Sequence, residues 1–208
     1  MCHKVWPQGA KKKLQRHEKD QHLTLQQQET LLAFARAKIA EVLGAAKGSA
    51  MIQLPDDEVF QELGAVFVTL TKDGVLRGCI GSLQAVEPLK ISVAKNAVHA
   101  ALRDPRFPAV TAEELPKLHI GISLLTPPKS LAYSHADSLL QTLRPGVDGV
   151  ILMGPGGAGA TCLPQVWHQL PEPAHFLSQL CRKAGLAADA WKTTHLHYQV
   201  YQTLSFAE

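Results

Sequence analysis

No run of apolar residues in this chain approaches the ~18–20 that a membrane-spanning helix needs, so no segment reads as a transmembrane span. The stretch Met1 to Asp20 holds no apolar core of the kind a secretory signal requires. Cysteine is scarce: Cys2, Cys79, Cys162 and Cys181 are the four in the chain. They form no CxxC pair and no framework density, which fits free thiols in a reducing compartment, and a cytoplasmic location is expected. GxSxG, Walker, HExxH and protein-kinase signatures are all missing, which removes the reactions those motifs serve. No internal repeat stands out at periods of about 20–50 residues. Bulk positive charge is missing as well. The formal net charge is +3, but Lys4, Lys11, Lys12, Lys13, Arg16 and Lys19 against Glu18 and Asp20 give the first twenty residues +4. The remainder carries 15 basic and 16 acidic groups, a net −1. The body therefore offers nucleic acid no general electrostatic footprint. Residues 1–22 read as a basic, solubilising, disordered tail.

What is present is a folded domain over residues 23–208, with enough apolar content (46%) to bury a core. Leu25 to Leu43 predicts a helix, with Leu31, Leu32, Ala35, Ile39, Val42 and Leu43 at helical spacing and Gly44 ending it. Gly48 to Pro55 reads as a linker. Gly64 to Leu83 predicts a β-hairpin turning at Asp73-Gly74. Glu87 to Arg103 predicts a second helix stopped by Asp104-Pro105, because the residue before proline avoids the α region. Thr111 to Leu115 reads as a helical turn with Thr111 as cap and Glu114 at the capping-box position. Further along, Leu118 to Leu125 predicts a strand and Ser134 to Leu143 a helix. Gly149 to Met153 and Ala160 to Leu163 read as strands around a glycine loop. Pro173 to Ala184 predicts a helix stopped by Gly185, and His195 to Tyr201 a closing strand. Hairpins with separate helices argue an α+β fold with mainly antiparallel sheets rather than a doubly wound one.

Leu76-Arg77-Gly78-Cys79-Ile80-Gly81-Ser82 is the segment that suggests chemistry. Strand alternation predicts that Arg77 and Cys79 share a face, with Leu76, Gly78 and Ile80 on the other. An arginine beside a cysteine stabilises the thiolate, which a nucleophilic or redox thiol needs. A buried core cysteine is the competing reading. Asp104 and Arg106, flanking Pro105, are candidates to assist, against the simpler reading of a helix stop with a local ion pair. His99 is a candidate general base. Gly78, Gly81, Ser82 and Asn96 are the candidate substrate contacts.

Two other features invite chemistry and do not sustain it at this level. Gly154 to Gly159 leads into a strand rather than a helix N-terminus, so it lacks the context of a phosphate loop. Among the ten histidines, His195 and His197 form the one local pair with chelate-like spacing. No third ligand stands at a recognisable spacing, so neither a metal nor another cofactor is expected.

The hexapeptide Leu76-Arg77-Gly78-Cys79-Ile80-Gly81 resembles the hallmark of the AMMECR family, known in prokaryotes as protein A of the AmmeMemoRadiSam system. The resemblance extends in order through Phe67-Val68-Thr69-Leu70, Lys72-Asp73-Gly74, Asn96-Ala97, Ala100-Ala101 and Asp104-Pro105-Arg106-Phe107. It continues through Gly146, Asp148-Gly149-Val150, Leu163 to Trp167, Phe176-Leu177 and Leu180 to Leu186, and spans residues 26–207. It implies a larger and a smaller subdomain, with a cleft near the hexapeptide. It also implies a modification pathway shared with a radical SAM protein and a Memo-like protein, acting on a small molecule or RNA. Either the chain is a cysteine-dependent enzyme of that pathway, or it is a non-catalytic adaptor for those partners or for RNA.

Overall fold

Thr24 starts the first helix. Its hydroxyl accepts the Gln27 N–H at 3.2 Å while the Gln27 side chain accepts the Thr24 N–H at 2.8 Å, a reciprocal capping box. The computed structural model describes residues 23–45 and 54–208. The basic tail, and the expected linker up to residue 53, lie outside the described residues. Helix α1 runs Leu25–Val42 and buries Leu31, Leu32, Phe34, Ala35 and Ile39. Gly44 ends it at φ +65°, a conformation that suits glycine.

A short helix α2 (Glu58–Gln61), capped by Asp57, precedes the hairpin and was not expected from periodicity. Strands β1 (Ala65–Lys72) and β2 (Val75–Gly81) turn through Asp73 at φ 53° and Gly74 at φ 76°. Two successive positive φ values define a type I′ turn, whose twist matches that of the strands it joins. Helix α3 (Leu89–Leu102) follows, then β3 (Leu118–Leu125), β4 (Lys129–Ser130), α4 (Ala136–Thr142), β5 (Gly149–Met153) and β6 (Gly159–Cys162). The chain ends with α5 (Pro173–Lys183), α6 (Ala190–Thr193), β7 (His197–Tyr201) and β8 (Thr203–Ala207). The expected closing strand is thus two: β7, and a β8 that the weak alternation of Thr203 to Ala207 did not announce.

The fold is α+β. Among the described residues eight strands form two sheets of order β2-β1-β3-β8 and β4-β7-β5-β6, with every pairing antiparallel. In the first sheet Val66, Val68 and Leu70 of β1 and Ile120 and Ile122 of β3 face inward. They pack under α1 and α3 with Leu31, Ile39, Val93 and Ala97. The second sheet packs Val150, Leu152 and Tyr198 against α5, where Trp167 stacks on Phe176 with ring centres 3.8 Å apart. Since β3 and β8 are neighbours, everything between them, residues 126–202, is an insertion into the first sheet and forms the smaller unit. A third cluster joins the units: Ala65, Leu125 and Tyr201, with Phe67, Leu83, Ile151 and Leu163 against them. Among the described residues no helix is long and apolar enough to cross a membrane.

Candidate functional site

The hexapeptide strand is not regular. The β1–β2 register runs Thr69↔Cys79 and Leu70↔Gly78, then slips to Thr71↔Leu76, leaving Arg77 as the extra residue of a β-bulge. A one-residue slip moves side chains to the opposite face. Leu76 therefore stands across from Thr71 on the outer face, 38% exposed, and not with Gly78 and Ile80 as alternation predicts. The Arg77 guanidinium is engaged by Glu114 and Pro108. Its Nε and Nη2 donate to Glu114 at 3.2 and 2.9 Å, and its Nη1 donates to the Pro108 carbonyl at 2.9 Å. Lys72 donates to the same carboxylate at 3.0 Å. Glu114 in turn accepts the Thr111 N–H at 3.3 Å, the back-reaching half of the expected capping box. The Arg77 hydrogen bonds, then that of Lys72, hold the Glu114 carboxyl down at about 2 against the effect of burial.

Asp104 and Arg106 make a second, separate cluster. Strand β2 is an edge, and a residue in a non-hydrogen-bonded antiparallel pair turns its N–H and C=O outward. Cys79 is such a residue. Its N–H donates to Asp104 Oδ2 at 2.8 Å, and its carbonyl accepts from Arg106 Nη2 at 3.2 Å. Arg106 also holds Asp104 through Nε to Oδ1 at 2.9 Å and Nη2 to Oδ2 at 2.6 Å. The Asp-Pro-Arg segment therefore supplies side chains where a further strand would supply backbone, which closes the edge exactly at the cysteine position. Asp104 is buried, and the Arg106 hydrogen bond outweighs that burial and holds its carboxyl well below the usual range. Arg106 is raised chiefly by Asp104, with Cys79 among the smaller causes, and its Nη2 reaches the backbone of the same cysteine.

On the outer face, Cys79 is a half-buried free thiol accepting the Thr69 hydroxyl at 3.3 Å. Register extends its row across the sheet as Cys79, Thr69, Gly121 and Ala207. The next row is Gly81, Phe67, Ser123 and Ser205. There the smaller unit abuts the sheet, through Ile151 and Leu163 near Phe67 and through Gln165 Nε2 donating to Ser205 at 3.3 Å. On the other side stand Thr71 and His119. The Cys79 row is thus a trough of small side chains in the angle between the two units, about 14 Å long from a strand spacing of ~4.8 Å. A Cβ on Gly121 would meet nothing nearer than 3.7 Å. Packing does not demand glycine there, and its absence of a side chain keeps the trough open.

The other candidates lie elsewhere, each for a steric reason. Gly78 faces α3, where a Cβ would stand 2.1 Å from the Ala100 carbonyl oxygen, and Gly81 lies under the Phe67 ring at 2.3 Å. At both positions the packing leaves no room for a side chain. Ser82 closes a local turn, accepting from Gln84 N–H at 3.2 Å. Asn96 is buried beneath the sheet, donating to the Val66 carbonyl and Ser92 at 3.4 Å. His99 sits on α3, which packs on the inner face, so the sheet separates it from the thiol. It lines a hollow of about 270 Å³ with Lys38, Glu41 and Lys95, and burial first, then Arg103 and Lys95, lowers its pKa. Thr69, Gly121 and Glu114 were missed. Thr69 shows in sequence only through the hairpin register that sets it opposite Cys79, and Glu114 lies 37 residues from Arg77.

The AMMECR1 family model matches residues 32–206. A protein of Methanothermobacter thermautotrophicus is 40% identical over 182 residues, covering 86% of this chain and 93% of the relative. A protein of Methanocaldococcus jannaschii is 35% identical, covering 89% and 92%. The crystal structure of an uncharacterized protein from Pyrococcus horikoshii superposes with a TM-score of 0.74 at 34% identity, covering 87% of this chain and 91% of that one.

Proposed function

The chain belongs to the AMMECR1 family, and within it we propose a cysteine-dependent enzyme whose Cys79 thiol is the nucleophile for a small molecule lying along the trough. One observation carries the reading: Cys79 is fixed by its own backbone to Asp104 and Arg106, while its sulfur stays partly exposed at the end of an open row. Preorganisation of that kind is what positioned nucleophiles need. In the proposed step the thiol loses its proton and the sulfur bonds to an electrophilic carbon of the substrate. The leaving group departs with the bonding pair and takes up a proton. Thr69 donates to the sulfur, and Arg106 supplies positive charge beside it. Cys79, Cys162 and Cys181 are all free, which suits a cytoplasmic enzyme. We read the reaction as one step of a pathway shared with a radical SAM protein and a Memo-like protein, which is what the resemblance to the AmmeMemoRadiSam system implies.

The test is iodoacetamide alkylation followed by peptide mass spectrometry across pH, with Cys79→Ser as the assignment control. Cys162 and Cys181 are 5% and 0% exposed, and burial pushes both thiols up. Fast labelling of Cys79 at neutral pH in native Cys2→Ser protein, with Cys162 and Cys181 unlabelled, supports the reading. A Cys79 that reacts only after denaturation overturns it.

A specific observation favours a second reading, an adaptor. Val75 and Leu76, the latter the first residue of the hexapeptide, lie at the hairpin tip and are 69% and 38% exposed. Retention of the radical SAM or Memo-like protein by native chain, lost in Val75→Ser/Leu76→Ser, would support docking at that tip.

A further inference from the structure

His195 and His197 sit before and at the start of β7, both exposed, with ring centres 5.8 Å apart and planes at 81°. The register of the smaller sheet sets Met153, 39% exposed, directly opposite His197 on the same outward face. Opposed residues in an antiparallel pair have Cβ atoms about 4.5–5.5 Å apart, within the reach of a methionine side chain. The His195 ring is not free to wander. Tyr133 stacks on it at 5.4 Å with planes 22° apart, and Tyr133 is itself locked, its hydroxyl donating to the Leu196 carbonyl at 2.6 Å and accepting the Leu196 N–H at 3.0 Å.

From this arrangement we infer that His195, His197 and Met153 bind one cuprous ion. Two imidazoles sharing an ion at about 2 Å from each nitrogen can hold ring centres up to about 6 Å apart, when the nitrogen–metal–nitrogen angle is wide. The observed separation of 5.8 Å lies within that limit. Two imidazoles and a thioether are a soft donor set, which favours copper(I) over zinc, calcium or magnesium. Among the described residues no group of three His, Cys, Asp or Glu side chains gathers into a metal site. Met153 is the third donor in this proposal because strand pairing sets it opposite His197. The site stands apart from Cys79 and does not depend on the thiol being catalytic.

The test is competition for copper(I) against bicinchoninate under anaerobic, reducing conditions. It uses full-length chain carrying Cys2→Ser and Cys79→Ser, so that the tail and trough thiols do not compete. The expected result is one equivalent retained by this background, none by its His195→Ala/His197→Ala version, and at least tenfold weaker retention by Met153→Leu. All three positions are exposed, so circular dichroism should be unchanged. Loss of all copper to the chelator from the background, or full retention in the histidine double variant, overturns the site. Unchanged affinity in Met153→Leu overturns Met153 as the third donor and with it the three-ligand site.

Discussion

Cys79 and Asp104, 25 residues apart in sequence, are joined by a 2.8 Å hydrogen bond from the cysteine N–H to the buried aspartate. The same carboxylate holds Arg106, whose far nitrogen returns to the cysteine carbonyl. Replacing Asp104 with Asn keeps the shape but removes the charge and faces an amide N–H₂ toward donors. It should cost about 2–4 kcal/mol of stability, since a buried charge partner is lost and a donor is left unpaired. Urea unfolding at pH 7 measures this. A change under 1 kcal/mol would mean the clamp contributes little.

The two carboxylates also predict a direction with pH. Both Asp104 and Glu114 are depressed in the folded state, Glu114 to about 2 from 4.5. Stability from a depressed carboxylate is fully present above the unfolded pKa and lost as pH falls through the folded one. The urea midpoint should therefore hold between pH 5 and 7 and fall from about pH 4.5 toward about pH 2. Glu114→Gln should flatten part of that fall, by roughly 2 kcal/mol after allowance for its partial exposure. A fall of equal size in the variant would remove Glu114 from the account.

Two glycines should behave oppositely. Gly78→Ala places a methyl 2.1 Å from a backbone oxygen that cannot yield locally, whereas Gly121→Ala meets ordinary contacts. The first should cost more than about 3 kcal/mol, in the range of severe overpacking. The second should leave the thermal midpoint within a few degrees and yet impair substrate turnover, because it fills the trough. Equal destabilisation would show that Gly121 is a packing residue too.

Alkylation rates discriminate between the two arginines. Thr69→Val and Arg106→Ala should each slow iodoacetamide labelling of Cys79 severalfold at pH 7, by removing a donor and a charge near the sulfur. Arg77→Ala should leave the rate within twofold while lowering stability. The reverse pattern would restore Arg77 as the activating group.

Local chemistry made much of this legible. The Asp73-Gly74 turn, the glycine stop at Gly44 and the Asp104-Pro105 helix end each depend on a few adjacent residues, and each is found where sequence places it. The α+β fold follows from the same elements. The site was legible in outline only. Cys79 does lie on a half-exposed face, but the alternation that paired it with Arg77 assumes a regular strand, and a bulge breaks that assumption at Arg77 itself. Which acid Arg77 meets depends on where the segment after α3 returns, which periodicity does not encode. Strand β8 was missed because its pairing with β3 spans the whole insertion.

That insertion enters at Thr126 and leaves at Gln202, whose backbones are tied by hydrogen bonds of 2.9 Å in each direction, one of them through the Thr126 hydroxyl. The smaller unit is therefore a cassette with its two ends side by side. Joining those ends with a short peptide, and bridging β3 to β8 with a tight turn, should yield two separately expressible pieces. One wall of the trough can thus be replaced or reshaped without re-threading the sheet that carries the cysteine.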